Sequence, residues 1–386
     1  MNVDAVIVGA RCAGAATAML LARAGARVLL VDKGAYGTDT LSTHALMRGA
    51  LLQLHRWGLL ADIVAAGTPP IRSTTFWYPS HQITVPIEPR EGVAALYAPR
   101  RALLDHILVD AAARSGVDVR FGVHVEDVIV ERDGRVAGVA VIERGMRRSV
   151  PAAIVVGADG LYSTIARRVR ARRIVEGAHA TAVLYSYWTG VPSEEYCWWF
   201  QPGASMGAIP TNNGATCVFV SLPAADFRHE RRRHGTDVYR RLIRKMSPSF
   251  ADQLNGASCV EPVRGFGGHQ GFIKQGSGPG WALVGDAGYF KDPLTAHGIT
   301  DAFRDAELLA RAIVSGGAGA FAEYEAARYQ LSRTLFDITD EIASLAWTED
   351  RLQSLHRAFS AEMSREVRAL AALEAFTCSW PQAGAA

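Results

Sequence analysis

The chain has 386 residues, enough for two domains, and 49% of them are hydrophobic, enough for a sizeable core. Its 41 basic and 38 acidic residues give a formal net charge of +3, which excludes a strong overall field that would recruit nucleic acid or an anionic membrane. No uncharged apolar run reaches the roughly 18 residues that a membrane span needs, and the first strand begins too close to Met1 for a signal peptide. We therefore expect a cytoplasmic protein, a monomer or homodimer, that acts on a small molecule.

The cysteines show no pattern that would hold a metal or form a disulfide framework. Their number is odd and no two stand in a C-x-x-C spacing, which favours a reducing compartment and predicts no metal site. The five are Cys12, Cys197, Cys217, Cys259 and Cys378.

A strand, a glycine turn, a helix and a second strand are predicted in the first 32 residues. Residues 3–8 and 27–32 are apolar strand patterns, and residues 13–24 are rich in helix formers. Gly9 and Gly14 fit the first and third glycines of a G-x-G-x-x-G turn. Asp32 ends the second strand, near the spacing of about 20 residues expected for a carboxylate that accepts ribose hydroxyls. The pattern predicts a dinucleotide-binding unit.

Arg11 stands where the middle glycine of this turn would let the backbone approach a phosphate. Its side chain is compatible with the turn if it points away, and its guanidinium could add positive charge to a site built from helix N-terminal amides. The alternative is a chance match on a helix start rich in glycine and alanine. Cys12, in the same turn, is expected to be a small packing residue rather than a reactive thiol.

Two later strands also end in a carboxylate beside glycines. Residues 152–156 lead into Asp159 and Gly160, and residues 281–284 lead into Gly285 and Asp286. The carboxyl edge of an open α/β sheet is where ligands bind. A single such element could be a plain turn, but three in this order predict one shared ligand site.

These three elements, in this order, resemble the signatures of class A FAD-dependent monooxygenases of the para-hydroxybenzoate hydroxylase type, a set that includes geranylgeranyl reductases and flavin halogenases. The resemblance covers most of the first 315 residues. It implies an α/β fold, with a Rossmann-like FAD-binding domain of the glutathione-reductase type, an inserted antiparallel β-sheet substrate domain and C-terminal helices. It also implies FAD as cofactor, with O2 and NADPH or NADH as co-substrates.

The domain boundaries follow from this implied architecture and from composition. Aromatic and β-branched runs at 73–79 and 181–222 predict the substrate sheet, and helical spacing dominates after residue 318. We expect an FAD-binding domain of residues 1–75, 98–175 and 256–317, a substrate domain of residues 76–97 and 176–255, and a helical region of residues 318–386.

The resemblance also implies roles for single residues. Asp32 would bind the adenosine ribose, Asp286 the ribityl chain, and Asp159 both FAD and NAD(P)H. Arg101, in an R-x-x-L-D element, would lie near the cofactor, and a helix opening at Gly298 would direct its free amides at the flavin. The predicted cofactor-binding residues are Gly9, Ala10, Arg11, Cys12, Ala13, Gly14, Asp32, Lys33, Thr43, Arg101, Val125, Asp159, Gly160, Gly285, Asp286, Pro293, Gly298 and Ile299.

Catalytic residues are predicted from chemistry alone. His44 and His297 are candidates for a base acting on a phenol, since the pKa of histidine lies near working pH, although either could equally be a structural histidine. Aromatic side chains of the insert line either the substrate pocket or the core of the sheet. They are Tyr187, Trp188, Trp198, Trp199 and Phe200.

Hydroxylation of an aromatic or polycyclic small molecule through a flavin C4a-hydroperoxide is the first expectation that the resemblance implies. Double-bond reduction, as in geranylgeranyl reductases, is the second. Halogenation is the third, because Ser205 and Gly207 stand where the W-x-W-x-I-P motif of halogenases has tryptophans. A non-catalytic flavin binder stays open, since fold alone does not exclude it.

Two arginine clusters, at residues 166–173 and 228–234, have two interpretations. A solvated face is the simpler one, because nucleic-acid binding would need a basic protein and aromatic stacking partners. The narrower hypothesis is that one cluster binds the phosphate of NADPH.

Overall fold

The computed structural model describes residues 3–40, 42–317, 319–376 and 380, so Cys378 lies outside the described residues. The strands are β1 (Val3–Val8), β2 (Val28–Asp32), β3 (Ser73–Trp77), β4 (Gln82–Pro86), β5 (Asp118–Phe121), β6 (Val123–Val130), β7 (Val136–Glu143), β8 (Met146–Gly157), β9 (Arg173–Glu176), β10 (Thr181–Thr189), β11 (Tyr196–Gln201), β12 (Ala204–Pro210), β13 (Ala215–Pro223), β14 (Ser258–Cys259), β15 (Arg264–Phe266), β16 (Phe272–Lys274), β17 (Ser277–Gly278), β18 (Trp281–Leu283) and β19 (Tyr289–Phe290). The helices are α1 (Cys12–Arg23), α2 (Arg48–Arg56), α3 (Leu60–Ala65), α4 (Arg101–Arg114), α5 (Thr164–Arg168), α6 (Ala224–His234), α7 (Val238–Met246), α8 (Pro248–Asn255), α9 (Gly298–Ser315), α10 (Ala320–Ala343) and α11 (Glu349–Ala371).

The first sheet has the order β17-β18-β8-β1-β2-β5, and its last five strands run parallel. Val6 and Ile7 of the central strand are fully buried, as expected for a parallel sheet covered on both faces. The antiparallel strands β7 and β6 extend from β8. Because β1, β2, β8 and β18 are parallel, their carboxyl ends meet at one edge. The α/β architecture predicted from the sequence is confirmed.

The glycines of the first turn bring β1, α1 and the end of β8 into close contact. Gly9 has φ +105°, and a Cβ there would lie 2.4 Å from the Ala158 carbonyl oxygen. A Cβ on Gly14 would lie 1.8 Å from the Gly9 carbonyl oxygen. Neither position can carry a side chain without moving the backbone. Helices α4 and α9 then pack on α1.

The second sheet has the order β14-β10-β13-β12-β11-β3-β4, and β15 pairs with the same edge of β10 as β14 does. Its pairs are antiparallel except for β3 with β11, which run parallel. Side chains alternate between its faces, as in any strand. Trp199 belongs to the core that α7 and α8 cover, whereas Trp198 and Phe200 belong to the core shared with the first sheet.

Strand pairing crosses the expected domain boundaries. Strand β3 spans the boundary placed between residues 75 and 76, and β14 and β15 pair with β10 although they follow residue 255. These pairings join segments far apart in the chain, so local composition does not mark them. Helices α10 and α11 pack against each other and on α9 and α2. Among the described residues, no helix is both long and apolar enough to cross a bilayer.

Candidate active site

The carboxyl edge of the first sheet brings together the turns predicted to bind a dinucleotide. Asp32 ends β2 there, and its two carboxylate oxygens accept hydrogen bonds from Ala10 N at 2.7 Å and from Gly34 N at 2.6 Å. The carboxylate therefore fixes the start of the glycine turn against the end of β2. Of the neighbouring predicted residues, Ala13 is buried and Lys33 is exposed.

Arg11 adopts φ −101°, a conformation open to any residue, so the turn does not require glycine here. Its guanidinium donates to the Thr38 carbonyl oxygen at 2.6 Å and to Asp105 Oδ2 at 2.8 Å. Arg101 donates to Asp105 as well, at 3.0 Å. Cys12 is buried, and burial raises the pKa of its thiol to about 12, as expected for a packing residue. The arginine thus links the glycine turn to α4.

Asp159 organises the turn that follows β8. Its carboxylate accepts hydrogen bonds from Ser163 Oγ at 2.5 Å and from Thr164 N at 2.6 Å, where α5 begins. Gly160 has φ +77°, and a Cβ built on it would meet no atom within 4 Å. The turn therefore needs glycine for its backbone conformation and leaves open space beside it.

Asp286 lies just after β18 and is open to solvent, although protein surrounds its carboxyl on most sides. This desolvation, with the charge of Asp301, raises the pKa of Asp286 to about 6, while Arg101 and Lys291 act in the opposite direction. Gly285, before it, has φ +58° and lies against Ala13. The exposed carboxyl has room to bind a ligand hydroxyl.

Helix α9 begins at Gly298, as the sequence predicted, and its first amides have no side-chain cap. Gly298 is exposed, and a Cβ on it would meet no atom within 4 Å. Ile299 is half-buried, and Pro293 begins the turn before the helix. Free amides at a helix N-terminus stabilise negative charge. The open space in front of them fits an electron-rich ring edge or an anionic group.

Two of the residues predicted to bind the cofactor do not lie in these turns. Val125 is buried in β6, where it pairs with Val141. Thr43 is half-buried in the segment before α2. No contact of either residue distinguishes it as a ligand-binding group, and their assignment stays a prediction.

A large cavity lies between the second sheet, the start of α2 and helix α11. Its volume is about 790 Å³. The side of α11 that faces it runs from Gln353 to Arg368, a helix length of about 22 Å. The opposite wall is mainly aromatic: Phe76, Tyr78, Tyr196, Trp198 and Phe200. Of the aromatic residues singled out in the sequence, Trp198 and Phe200 line this cavity.

His297 lies at one end of the cavity with a buried group of charged side chains. Its Nδ1 is 2.8 Å from Lys291 Nζ, and its Nε2 is 2.9 Å from Glu366 Oε2. Asp301 forms an ion pair with Lys291 and with Arg304. The ligand atoms of His297, Asp301 and Glu366 are close enough to hold a metal ion. Lys291 and Arg304 already contact the same carboxylates, so a metal would have to compete with two fixed cations.

His44 lies elsewhere, against Tyr187. Its Nε2 is 2.9 Å from the Tyr187 hydroxyl and the two rings stack. Burial and the charge of Arg100 lower the pKa of His44 to about 3, so the ring is neutral and a weak base. Among the described residues that line the cavity, His297 is present and His44 is not.

Sequence reasoning missed the polar residues of the cavity. Tyr78 hydrogen-bonds to His356 Nδ1 at 2.8 Å; burial raises the pKa of Tyr78 to about 12 and lowers that of His356 to about 4. Lys291 and Glu366 were missed as well. The only local signal was the neighbourhood of Lys291, one residue before Asp292 in a segment already assigned to the flavin site.

Comparison with known proteins identifies the cofactor of this protein. A family model described as an FAD binding domain matches residues 2–338. The chain belongs to this FAD-binding family. The digeranylgeranylglycerophospholipid reductase of Methanosarcina mazei is 26% identical over 320 residues, which are 80% of this chain and 74% of the relative. The menaquinone reductase of Mycolicibacterium smegmatis is 28% identical over 333 residues, 81% of this chain and 77% of the relative.

The fold of this FAD-binding protein is shared with solved flavoenzymes. The flavin-dependent brominase Bmp2 superposes with a TM-score of 0.82 at 19% identity, covering 96% of this chain and 94% of the brominase. The protein is thus an FAD-dependent oxidoreductase of the class A flavoprotein type, as the sequence predicted. The glycine turns, the open carboxyl of Asp286 and the free start of α9 fit a bound FAD.

Proposed function

We propose that this FAD-dependent oxidoreductase reduces carbon–carbon double bonds of an elongated apolar substrate. The shape of the cavity carries the proposal. It lies along ~22 Å of α11, and apolar and aromatic side chains form much of its wall; we call it the channel. A long channel with apolar walls fits an extended hydrocarbon chain.

The two curated relatives support the same reaction class. Both curated relatives described above carry the word reductase in their names, and one acts on a lipid with geranylgeranyl chains. Because the brominase is only 19% identical, its structural similarity supports the fold alone. We therefore place reduction ahead of the hydroxylation that the sequence favoured.

Reduced FAD would supply a hydride, and NADPH or NADH would restore its reduced state. The chain itself has three tasks. The glycine turns and the start of α9 bind and orient the cofactor. The apolar walls of the cavity exclude water and align the substrate chain with its end at His297. His297, which lines the cavity, would deliver the proton.

Hydroxylation of an aromatic substrate is the second candidate, and one observation favours it. The aromatic wall of the second sheet, which includes Phe76, Trp198 and Phe200, could stack on a planar ring. In that case O2 would be a co-substrate and the product would contain an oxygen atom from it.

Product analysis decides between the two reactions. The holoenzyme, reduced with NADPH or dithionite, would be incubated with digeranylgeranylglycerophospholipid and with menaquinone, anaerobically and under ¹⁸O-labelled oxygen. Reduction predicts a product that gains two hydrogens across a carbon–carbon double bond, with the quinone ring of menaquinone reoxidised before analysis, and that forms without oxygen. A product that contains ¹⁸O and forms only in air would contradict reduction and support hydroxylation.

Filling the channel provides an independent check of where the substrate binds. Met363 lies on the cavity side of α11. Met363→Trp should abolish turnover of the long-chain substrate while FAD stays bound, because the larger side chain obstructs the channel. Met146→Trp, at an exposed position of β8, is the matched control and should leave turnover unchanged. Normal turnover by Met363→Trp would place the substrate elsewhere.

A further inference from the structure

Lys291 and His297 meet in a way that forces them to share a proton. Their side chains are almost fully buried, and Lys291 Nζ lies 2.8 Å from His297 Nδ1. A protonated lysine has only N–H donors, and a protonated imidazole has a donor at each nitrogen. Two donors do not approach this closely, so one of the two nitrogens accepts. The contact therefore holds one proton between the two residues.

The charges around this contact also indicate that Lys291 and His297 share one proton. Arg304 contacts Asp301 and Glu366, each at 2.8 Å, and Asp305 at 2.7 Å. Arg328 contacts Asp305 as well, at 3.3 Å. The three carboxylates are thus matched by the two arginines and one further positive charge. That charge is the one that Lys291 and His297 share.

The cavity lies on one side of the imidazole. Among the described residues, His297 and Glu366 line the cavity, whereas Lys291 and Asp301 do not. His297 Nδ1 faces Lys291 and Nε2 faces Glu366. Glu366, on the Nε2 side of the ring, lines the cavity, whereas Lys291, on the Nδ1 side, does not. This arrangement suits a proton relay, in which Lys291 holds a proton away from the cavity and His297 delivers one to the substrate.

We propose that Lys291 and His297 form a proton relay that supplies the proton consumed in double-bond reduction. One alkene carbon takes a hydride from reduced FAD, and its neighbour takes the proton from His297 Nε2. As that N–H bond breaks, Nδ1 takes a proton from Lys291 Nζ, so the imidazole stays neutral and Lys291 becomes a neutral amine. After product release, solvent in the cavity protonates His297 Nε2, and Nδ1 returns its proton to Lys291 Nζ. This relay rests on the proposed reductase function.

The surroundings of Lys291 suit a lysine that must lose its proton. Burial lowers the pKa of Lys291, and the carboxylates of Asp301 and Glu366 act against it. Burial and the charge of Lys291 also lower the pKa of His297, and the same carboxylates raise it, with a net upward shift. Two groups coupled this tightly titrate as a pair. The other titratable or charged groups that face the pair are Asp286, Tyr289, Arg304, Asp305 and Arg328.

Substitution of Lys291 distinguishes a lysine that passes on a proton from one that acts only as a fixed positive charge. Lys291→Arg keeps the positive charge, but a guanidinium does not release its proton, and Lys291→Met removes both properties. For a relay, both variants should retain FAD and substrate KM while kcat falls about 100-fold, the lower range for general acid catalysis. The same two changes at exposed Lys245 are the controls and should have no effect. A Lys291→Arg enzyme with near wild-type kcat would overturn the relay.

A second measurement does not depend on turnover. In ¹⁵N-histidine-labelled holoenzyme, the ring nitrogens of His297, assigned with a His297→Gln sample, would be followed by NMR as the pH is varied. Lys291→Met should move the titration of His297 to higher pH, because a neighbouring positive charge is lost. An unchanged titration would overturn the relay even in an active reductase. If neither substrate is reduced but the titration moves, only the proposed function fails.

Discussion

At the scale of single residues, Asp286 gives the site a predictable pH dependence. Its pKa of about 6 in the folded protein exceeds the ordinary value of 3.8. Between these two values the folded state holds a proton that the unfolded state releases, so the contribution of Asp286 to stability is fully present below pH 4 and is lost as the pH rises through 6. Asp286→Asn does not ionise and should not show this loss.

Thermal unfolding of the FAD-free protein tests this expectation. The melting temperature of the wild type, relative to Asp286→Asn, should fall between pH 4 and pH 7. Asp226→Asn, at an exposed position of α6, is the matched control. A constant difference between wild type and Asp286→Asn across this range would show that the carboxyl is not desolvated.

At the scale of elements, the start of α9 is expected to face the cofactor. Gly298→Ala adds a methyl group that meets no protein atom within 4 Å, so the fold should tolerate it. The methyl group would nevertheless occupy the space in front of the free amides and should weaken FAD binding about tenfold or more, the equivalent of losing one charge-assisted hydrogen bond. FAD affinity would be measured by fluorescence quenching, and folding by circular dichroism.

Gly267→Ala is the matched control for this substitution, because its added methyl group also meets open space and its φ is not positive. It should bind FAD like the wild type. Equal affinities for Gly298→Ala and Gly267→Ala would show that the cofactor does not approach α9 at this point.

Some elements of the fold and the site could be predicted from the sequence, and others could not. Helix α9 and the unit from β1 to β2 were predicted because their signals, such as Gly9, Asp32 and Gly298, lie within or beside the elements that they shape. The cavity was not, because its walls come from β3, β11 and α11, which pair or pack across long stretches of chain. Glu366 reaches the site only through this packing, and no neighbouring residue marks it.

At the scale of the whole molecule, the two arginine clusters differ in what surrounds them. Arg167, Arg170 and Arg173 line a pocket of about 320 Å³ together with Lys274. Burial and the charge of Arg173 lower the pKa of Lys274, and the charge of Asp159 acts against them. Tyr162, at the same pocket, is 74% exposed and could stack on an adenine ring. The cluster at 228–234 lies on α6 and lines neither cavity described above.

The cluster at residues 166–173, which lines a pocket, is therefore the one expected to bind the phosphate of NADPH, if NADPH is the reductant. Arg170→Ala should raise the KM for NADPH about tenfold, since one charge-assisted hydrogen bond is lost, and leave FAD binding unchanged. Arg231→Ala, in the exposed cluster on α6, is the matched control. Because NADH lacks the additional phosphate, its KM should change little in either variant. Equal KM values for NADPH in the two variants would indicate that neither cluster binds NADPH and that both are solvated surface.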